Sequence, residues 1–452
     1  MTSSSVTRRS LLAGIAGAPL AIPQQKRKPP NVLFIAADDL NVRIGCYGFP
    51  VQTPNIDSIA RRGVRFDRAY CQYALCNPSR TSMLTGKNPT STRITDNNTW
   101  FRKNMPDVVT LPQYFRQNGY LTAATGKIFH GGLDDDRAWD IGGTPVSQGG
   151  IRPPAGPVEE RQKLSDRWVA LEGDGTDTTD YRNASRAIEL LQQNRSGKPL
   201  FLALGFAKPH APFIAPKKYF DLYDPAKMPI AADFAPEPTG TSPSIRSNWD
   251  LFSVRKGSPE LARQALAAYY ACISFIDAQL GRVLAALDKT GMRDETIIVF
   301  FGDNGWHLGE KGLWGKTTLF EPSARVPLIM AAPGVSASGK VSNRPVQFVD
   351  VYPTLLDLCG LPRLQGLDGQ SLSPLLRNPS AKWDRPAFTW LGGRKSLAVS
   401  VRNERYRYTE WPGGEAELWD YKVDPGETRN LATDPKYGKT VQEMRALLRR
   451  AS

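Results

Sequence analysis

Residues Asn31-Val32-Leu33-Phe34-Ile35-Ala36-Ala37 form an almost unbroken apolar run that ends in two acids, Asp38 and Asp39. An apolar run without polar alternation predicts a strand buried on both faces of a parallel sheet, and its polar end marks the carboxyl edge, where open α/β sheets hold their active sites. The run Thr296-Ile297-Ile298-Val299-Phe300-Phe301-Gly302 ends in Asp303 and Asn304 and has the same form. Two buried strands with polar ends of this kind point to one shared site. Between them, residues 55–63 and 111–119 read as helices closed by glycine, and 181–194 as an amphipathic helix leading into a strand over 199–206. Residues 258–290 keep apolar positions at helical spacing over a long span. Residues 142–180 and 221–257 are rich in Gly, Pro, Asp and Ser and read as long surface insertions that shape a pocket. From residue 366 the pattern changes to short alternating runs at 395–401, 405–411 and 417–421 and a final helix from Lys439, which predicts a small antiparallel sheet with one helix. The expected organisation is therefore a leader and linker over 1–28, a catalytic α/β domain over 29–365 and a C-terminal subdomain over 366–452.

Composition narrows the functional classes. The chain has 452 residues, 40% hydrophobic and 23% charged, as an ordinary globular protein does. Lys and Arg outnumber Asp and Glu by 58 to 44, a formal charge of +14, which favours anionic partners through long-range attraction. The basic residues are scattered and no segment reads as a DNA or RNA module, so a sulfated polysaccharide suits the charge better than nucleic acid. Thr7-Arg8-Arg9-Ser10-Leu11-Leu12 precedes a short apolar stretch ending at Ile22. That is the arrangement of a twin-arginine export signal, too short to span a bilayer as a mature helix, and it predicts a periplasmic or extracellular protein without stable membrane insertion. The 5 cysteines show no CxxC spacing and no dense disulfide framework.

Candidate chemistry lies in a few dense motifs. Asp38, Asp39, Asp303 and Asn304 offer hard oxygen ligands from two strand ends, a set that suits Ca²⁺ or Mg²⁺. The chain has only 3 histidines, and each sits in a polar motif: His130 after Gly126-Lys127, His210 in Lys208-Pro209-His210, and His307 after Gly305-Trp306. Lys127, Lys316 and Arg80 are cations able to hold a dianionic oxyanion. In the run Cys76-Asn77-Pro78-Ser79-Arg80-Thr81-Ser82-Met83-Leu84-Thr85-Gly86, Pro78 fixes φ and Gly86 permits a turn, so Cys76 is expected on a tight loop ahead of a short helix.

That run resembles the element at which sulfatase-maturing enzymes oxidise a cysteine to formylglycine. The chain as a whole resembles the type I sulfatases of the alkaline phosphatase superfamily, most closely their iduronate-2-sulfatase-like branch, from about residue 30 to residue 434. The resemblance runs through Asp38-Asp39, the Cys76 element, Thr95 to Arg102, Gly126-Lys127 with His130, Lys208-Pro209-His210, Gly302 to Lys316, and Glu417-Leu418-Trp419-Asp420-Tyr421. It implies a large mixed, mostly parallel sheet flanked by helices, with a small C-terminal antiparallel sheet. It also implies calcium on Asp38, Asp39, Asp303, Asn304 and position 76, and a sulfate pocket completed by Arg80, Lys127, His130, His210 and Lys316. Asn97, Asn98, Trp100, Arg102 and His307 are expected to meet the substrate. The implied partners are a sulfated carbohydrate and a formylglycine-generating enzyme. The implied mechanism is covalent: a hydrated aldehyde attacks sulfur, His210 with Lys316 assists the leaving oxygen, and His130 with Lys127 promotes sulfate release. The iduronate branch often has Asp-His where this chain has Asp303-Asn304, which restores the pattern of the wider family and leaves the sugar open. A phosphodiesterase or phosphonate monoester hydrolase on the same fold is the alternative, and a catalytically dead polysaccharide-binding protein a more distant one.

Overall fold

Alternate residues of the first apolar run face opposite sides of one sheet. Leu33, Ile35 and Ala37 join one buried cluster, while Val32, Phe34 and Ala36 join another. Both faces are covered, which explains why the run is apolar at successive positions. The same split holds for Ile298 and Phe300 against Ile297, Val299 and Phe301. The computed structural model describes Met1 and residues 28–143, 168–194, 196–247, 257–393 and 396–451. The expected leader at 2–27, and residues 144–167 and 248–256 of the expected insertions, lie outside the described residues.

The large sheet is built from β1 (Asn31–Asp38), β2 (Val64–Tyr70), β3 (Leu121–Gly126), β4 (Ile141–Gly142), β6 (Leu200–Pro209), β8 (Thr296–Gly302), β9 (Arg325–Val326), β10 (Leu328–Ala331) and β11 (Lys340–Gln347); β5 (Trp168–Leu171) and β7 (Phe213–Pro216) pair separately. Its order is β11-β2-β10-β8-β1-β6-β3-β4, with β9 on β2. Only β9 and β10 run against the rest, so the sheet is mixed and mostly parallel. Helices Pro54–Arg62, Thr179–Gln193 and Pro259–Lys289 cover one face; Cys76–Thr85, Leu111–Gln117 and Val351–Leu358 cover the other. The helix Pro259–Lys289 is apolar enough to cross a membrane, but 78% of its most apolar window is buried inside the protein, which makes it a core helix.

Strands β12 (Ala387–Gly393), β13 (Ser396–Arg402), β14 (Tyr406–Glu410) and β15 (Ala416–Asp420) form an antiparallel sheet in chain order. The helix Gly438–Leu448 packs on it through Met444 and Leu448. The segment 366–386, expected with this subdomain, instead places Leu372, Leu375, Leu376 and Trp383 in the large core, so the small unit begins at Ala387. Its first strand holds the chain that leads to Cys76: Trp390 N–H donates to Gln72 O at 2.9 Å, Thr389 Oγ1 to Cys71 O at 2.9 Å and Tyr73 Oη to Gly392 O at 2.8 Å.

Candidate active site

Strands β1 and β8 end side by side, with Ala37 opposite Gly302, so the residues after them converge at one carboxyl edge. Asp38 closes β1 and Asp39 follows at φ 59°, a left-handed conformation that Asp tolerates better than most residues. The turn brings both acids toward the same centre. Asp39 N–H donates to Asp303 Oδ1 at 2.9 Å, and Asp39 O accepts from the Tyr269 hydroxyl at 2.7 Å.

Cys76 is the first residue of its helix rather than a loop residue ahead of it, and Gly86 ends that helix at φ 66°. All 10 residues of the helix are buried, because it packs among Phe348–Asp350 and the helices Leu111–Gln117 and Val351–Leu358. The Cys76 thiol lies 3.4 Å from Asp38 Oδ1, 3.6 Å from Asp39 Oδ1 and 2.8 Å from Lys316 Nζ. One ligand atom from each of Asp38, Asp39, Cys76 and Asp303 falls within 4.8 Å of the others. Asn304 Nδ2 donates to Asp39 Oδ1 at 2.8 Å and so joins the same cluster.

Three cations face these acids. Lys127 Nζ lies 2.6 Å from Asp38 Oδ2, and Lys316 Nζ pairs with Asp39 Oδ1. Arg80 donates from Nε to Asp303 Oδ2 at 2.7 Å, from one terminal nitrogen to Ile128 O at 2.9 Å and to Lys127 O, and from the other to Asp38 Oδ1 at 3.3 Å. Each guanidinium nitrogen is already committed to protein, so Arg80 braces the acids and the Lys127 loop. Lys127 reaches the centre because β3 and β6 approach closely: a Cβ on Gly126 would meet Gly205 O at 1.9 Å, and one on Gly205 would meet Lys127 O at 2.1 Å.

Burial alone would raise Asp38, but Lys127, His210, Arg80 and Lys316 outweigh it and hold that carboxyl well below the usual range. Asp303 is pushed up by burial, with Asp38 and Asp39 adding like charge. Burial, then the Asp38 charge, pushes the Cys76 thiol well up, so the unmodified side chain stays a protonated, weak nucleophile. His130 is held at about 3 by burial and by Lys127, and is neutral at ordinary pH. Its Nδ1 is buried without a hydrogen-bond partner. His210 is different: its side chain is 42% exposed, with Nε2 3.7 Å from Asp39 Oδ2.

The donor set fits a hard divalent cation. Asp39 Oδ2 and Asn304 Oδ1 are buried oxygens that accept no hydrogen bond, and they sit within a cluster of three carboxylates.

The residues expected at the substrate divide. Asn97 Oδ1 accepts Asn77 N–H at 3.0 Å, next to Cys76, and Asn98 is exposed beside it. Trp100 Nε1 donates to Asp134 O at 3.0 Å and leaves the ring half-buried. Arg102 is a correction: it is 4% exposed, chelates both oxygens of Asp135 at 2.7 Å, and ties the 100s segment to the His130 loop. His307 is a second, since it is fully buried with Nε2 2.8 Å from Thr318 Oγ1 and pushed down to about 4 by burial. It braces the loop that carries Lys316. Sequence reasoning missed Tyr269, because nothing local relates a mid-helix residue to a strand end. Ser79, whose Oγ donates to Asp303 O, was visible within the Cys76 motif but carried no role there.

The family model described as Sulfatase matches residues 30–361, and one described as N-sulphoglucosamine sulphohydrolase, C-terminal, matches residues 309–452. The chain belongs to the sulfatase family. It hydrolyses sulfate esters, and its family generally uses a formylglycine and a divalent metal. This sulfatase is 34% identical to a sulfatase of Formosa agariphila over 98% of the chain and 92% of the relative. It is 31% identical to mouse iduronate 2-sulfatase over 92% of the chain and 93% of that enzyme. A solved structure described as in complex with its substrate D-glucosamine-2-N,6-O-disulfate superposes with a TM-score of 0.75 at 25% identity, covering 94% of this sulfatase and 97% of that chain. A phosphonate monoester hydrolase of Agrobacterium radiobacter superposes at 0.76 with 23% identity over 94% and 96% of the two chains, a likeness of fold.

Proposed function

We propose that this sulfatase removes sulfate from a sulfated sugar of a glycosaminoglycan-type or related polysaccharide, with calcium bound and with Cys76 matured to formylglycine by a formylglycine-generating enzyme. The observation that carries the reading is the position of the Cys76 side chain, in contact with Asp38, Asp39 and Lys316, with His210 Nε2 3.7 Å from the same Asp39 carboxylate. When bound, calcium on Asp38, Asp39, Asp303 and Asn304 supplies a Lewis acid, and the aldehyde at position 76 supplies hydrated hydroxyls in place of the thiol. Lys127 and Lys316 set two ammonium groups beside the sulfate group, which carries one negative charge as the ester and two once released, and they offset the negative charge of the acids. His210, partly open to solvent, delivers a proton to the departing sugar oxygen. His130, neutral and half-buried near Lys127, takes a proton from position 76 when sulfate leaves. Arg80 keeps Asp38 and Asp303 in register. The net charge of +14 and the sugar named for the superposed relative support a sulfated carbohydrate as substrate. Thr7 to Leu12 supports export through the twin-arginine route, which carries folded and therefore already matured protein.

Peptide mass spectrometry paired with assays on sulfated oligosaccharides and an aryl phosphonate tests the reading. Co-expression with a formylglycine-generating enzyme is expected to raise the converted fraction and sulfate release together, and Cys76→Ala to lower turnover by at least about 1,000-fold with folding retained. Full activity with a free thiol at position 76, or faster cleavage of the phosphonate than of every sulfated sugar, would overturn it.

A further inference from the structure

We propose that Asp180 and Lys208 form a clamp that positions His210 and selects which of its ring nitrogens faces the reaction centre. The ladder between β1 and β6 pairs Ala37 with Phe206 and then Asp38 with Pro209, so Ala207 and Lys208 bulge out of register. Their backbone N–H groups lose ladder partners and turn to one carboxylate: Ala207 N–H donates to Asp180 Oδ1 at 2.6 Å and Lys208 N–H to Asp180 Oδ2 at 3.2 Å. Asp180 is 2% exposed and lies at the start of the helix Thr179–Gln193, which fixes its direction.

The Lys208 side chain then folds back over the residues that follow. Its ammonium donates to His210 O at 2.9 Å and to Pro212 O at 2.6 Å, bracketing the histidine on its C-terminal side. His210 N–H donates to Ala207 O at 3.2 Å, closing the bulge. With the backbone held at both ends, His210 Nδ1 lies 2.5 Å from Ala211 O. A carbonyl oxygen can only accept, so Nδ1 carries the hydrogen. That leaves Nε2, which points toward Asp39 Oδ2, as the nitrogen that exchanges a proton with a departing oxygen. Asp180 and Lys208 are thus positioning residues that act through the backbone around His210.

The catalytic consequence rests on the proposed role of His210 as proton donor, whereas the clamp itself stands on geometry, and the test separates the two. Matured Lys208→Met, Asp180→Asn and Lys208→Arg are compared with wild type by ¹⁵N spectra of labelled imidazole, with the ring neutral. The chain has only 3 histidines, and His210→Gln identifies the signal. Wild type is expected to show the Nδ1–H form at His210, Lys208→Met and Asp180→Asn to show a mixture, and Lys208→Arg, which still offers two donors, to recover the wild-type pattern. In parallel, kcat of Lys208→Met is expected to fall on the order of tenfold to a hundredfold on an alkyl sulfate but under about threefold on an aryl sulfate with a good leaving group, with KM unchanged. An unchanged tautomer in both Lys208→Met and Asp180→Asn would overturn the clamp, and equal losses on both substrates where His210→Gln still depends on the leaving group would overturn its effect on the proton donor. If the tautomer shifts while His210→Gln shows no leaving-group dependence, the clamp stands and the proton-donor role of His210 falls.

Discussion

Asp39 Oδ2 and Asn304 Oδ1 sit in the interior of the site without a hydrogen-bond donor, in a protein whose buried polar atoms are mostly satisfied. A divalent cation supplies the missing partner, and it relieves the like charge that Asp38 and Asp39 add to the burial pushing Asp303 up. Exhaustive chelation is therefore expected to stop sulfate release and to lower Tm, with calcium restoring both. At a free concentration one hundred times Kd, bound metal adds about 2.7 kcal/mol to stability. Unchanged thermal unfolding in protein shown to be metal-free would remove the metal from this cluster. The acids themselves were legible, since two apolar runs ending in polar pairs are a local signal. Arg102 and His307 were misread for a related reason: a motif shows that residues belong together, but burial decides whether they face the substrate or brace the residues that do.

The helix Pro54–Arg62 shows how one element completes another. Its N-cap Thr53 makes no side-chain capping bond. Asp277, from the middle of the helix Pro259–Lys289, reaches over instead and accepts from Asn55 N–H at 3.1 Å and Ile56 N–H at 2.8 Å, as well as from the Asn55 amide at 2.8 Å. The approach needs Gly281, where a Cβ would lie 2.7 Å from Asn55. Asp277→Ala leaves buried donors unpaired and is expected to cost about 1–3 kcal/mol in urea unfolding, with kcat on an aryl sulfate within twofold of wild type. A loss below about 0.5 kcal/mol would show that water replaces the cap. Both helices were readable locally, the first from its closing glycine and the second from its apolar spacing. Their contact was not, because it joins residues more than 200 positions apart.

At the scale of the whole molecule, a buried ionic junction ties the C-terminal sheet to the catalytic unit. Arg407 Nη2 pairs with Glu321 Oε1 at 2.6 Å and its Nε lies 3.4 Å from Glu427 Oε1, while Arg402 adds a contact to Glu321 at 3.2 Å. Burial would raise both acids, but Arg407, Arg402 and Arg325 hold Glu321 at about 2, whereas burial prevails at Glu427 and pushes it to about 7. Glu427 is thus protonated in the fold at pH values where the unfolded chain, near the ordinary 4.5, has lost the proton. Its contribution is greatest below 4.5 and is lost as pH rises through 7; the Glu321 contribution is present above 4.5 and lost as pH falls toward 2. Glu427→Gln fixes the neutral form. Its stability relative to wild type is expected to improve between pH 5 and pH 8, by at most about 1.4 kcal/mol per unit, measured by denaturant unfolding at each pH. A pH-independent difference would show that Glu427 does not carry this proton.

The sequence by itself determined the two buried strands, their polar ends, the long core helix, the late antiparallel sheet and the set of acids, cations and histidines that carry the chemistry. Each of these is written in local periodicity or in a short motif, where the signal lies within a few residues. Tertiary structure alone decided that Cys76 opens a buried helix, that Arg80 is spent on bracing Asp38 and Asp303, that the small unit starts at Ala387, and that a bulge in β6 sets His210. Those outcomes depend on which distant segments pack together, through burial and paired charge, and no local pattern encodes that.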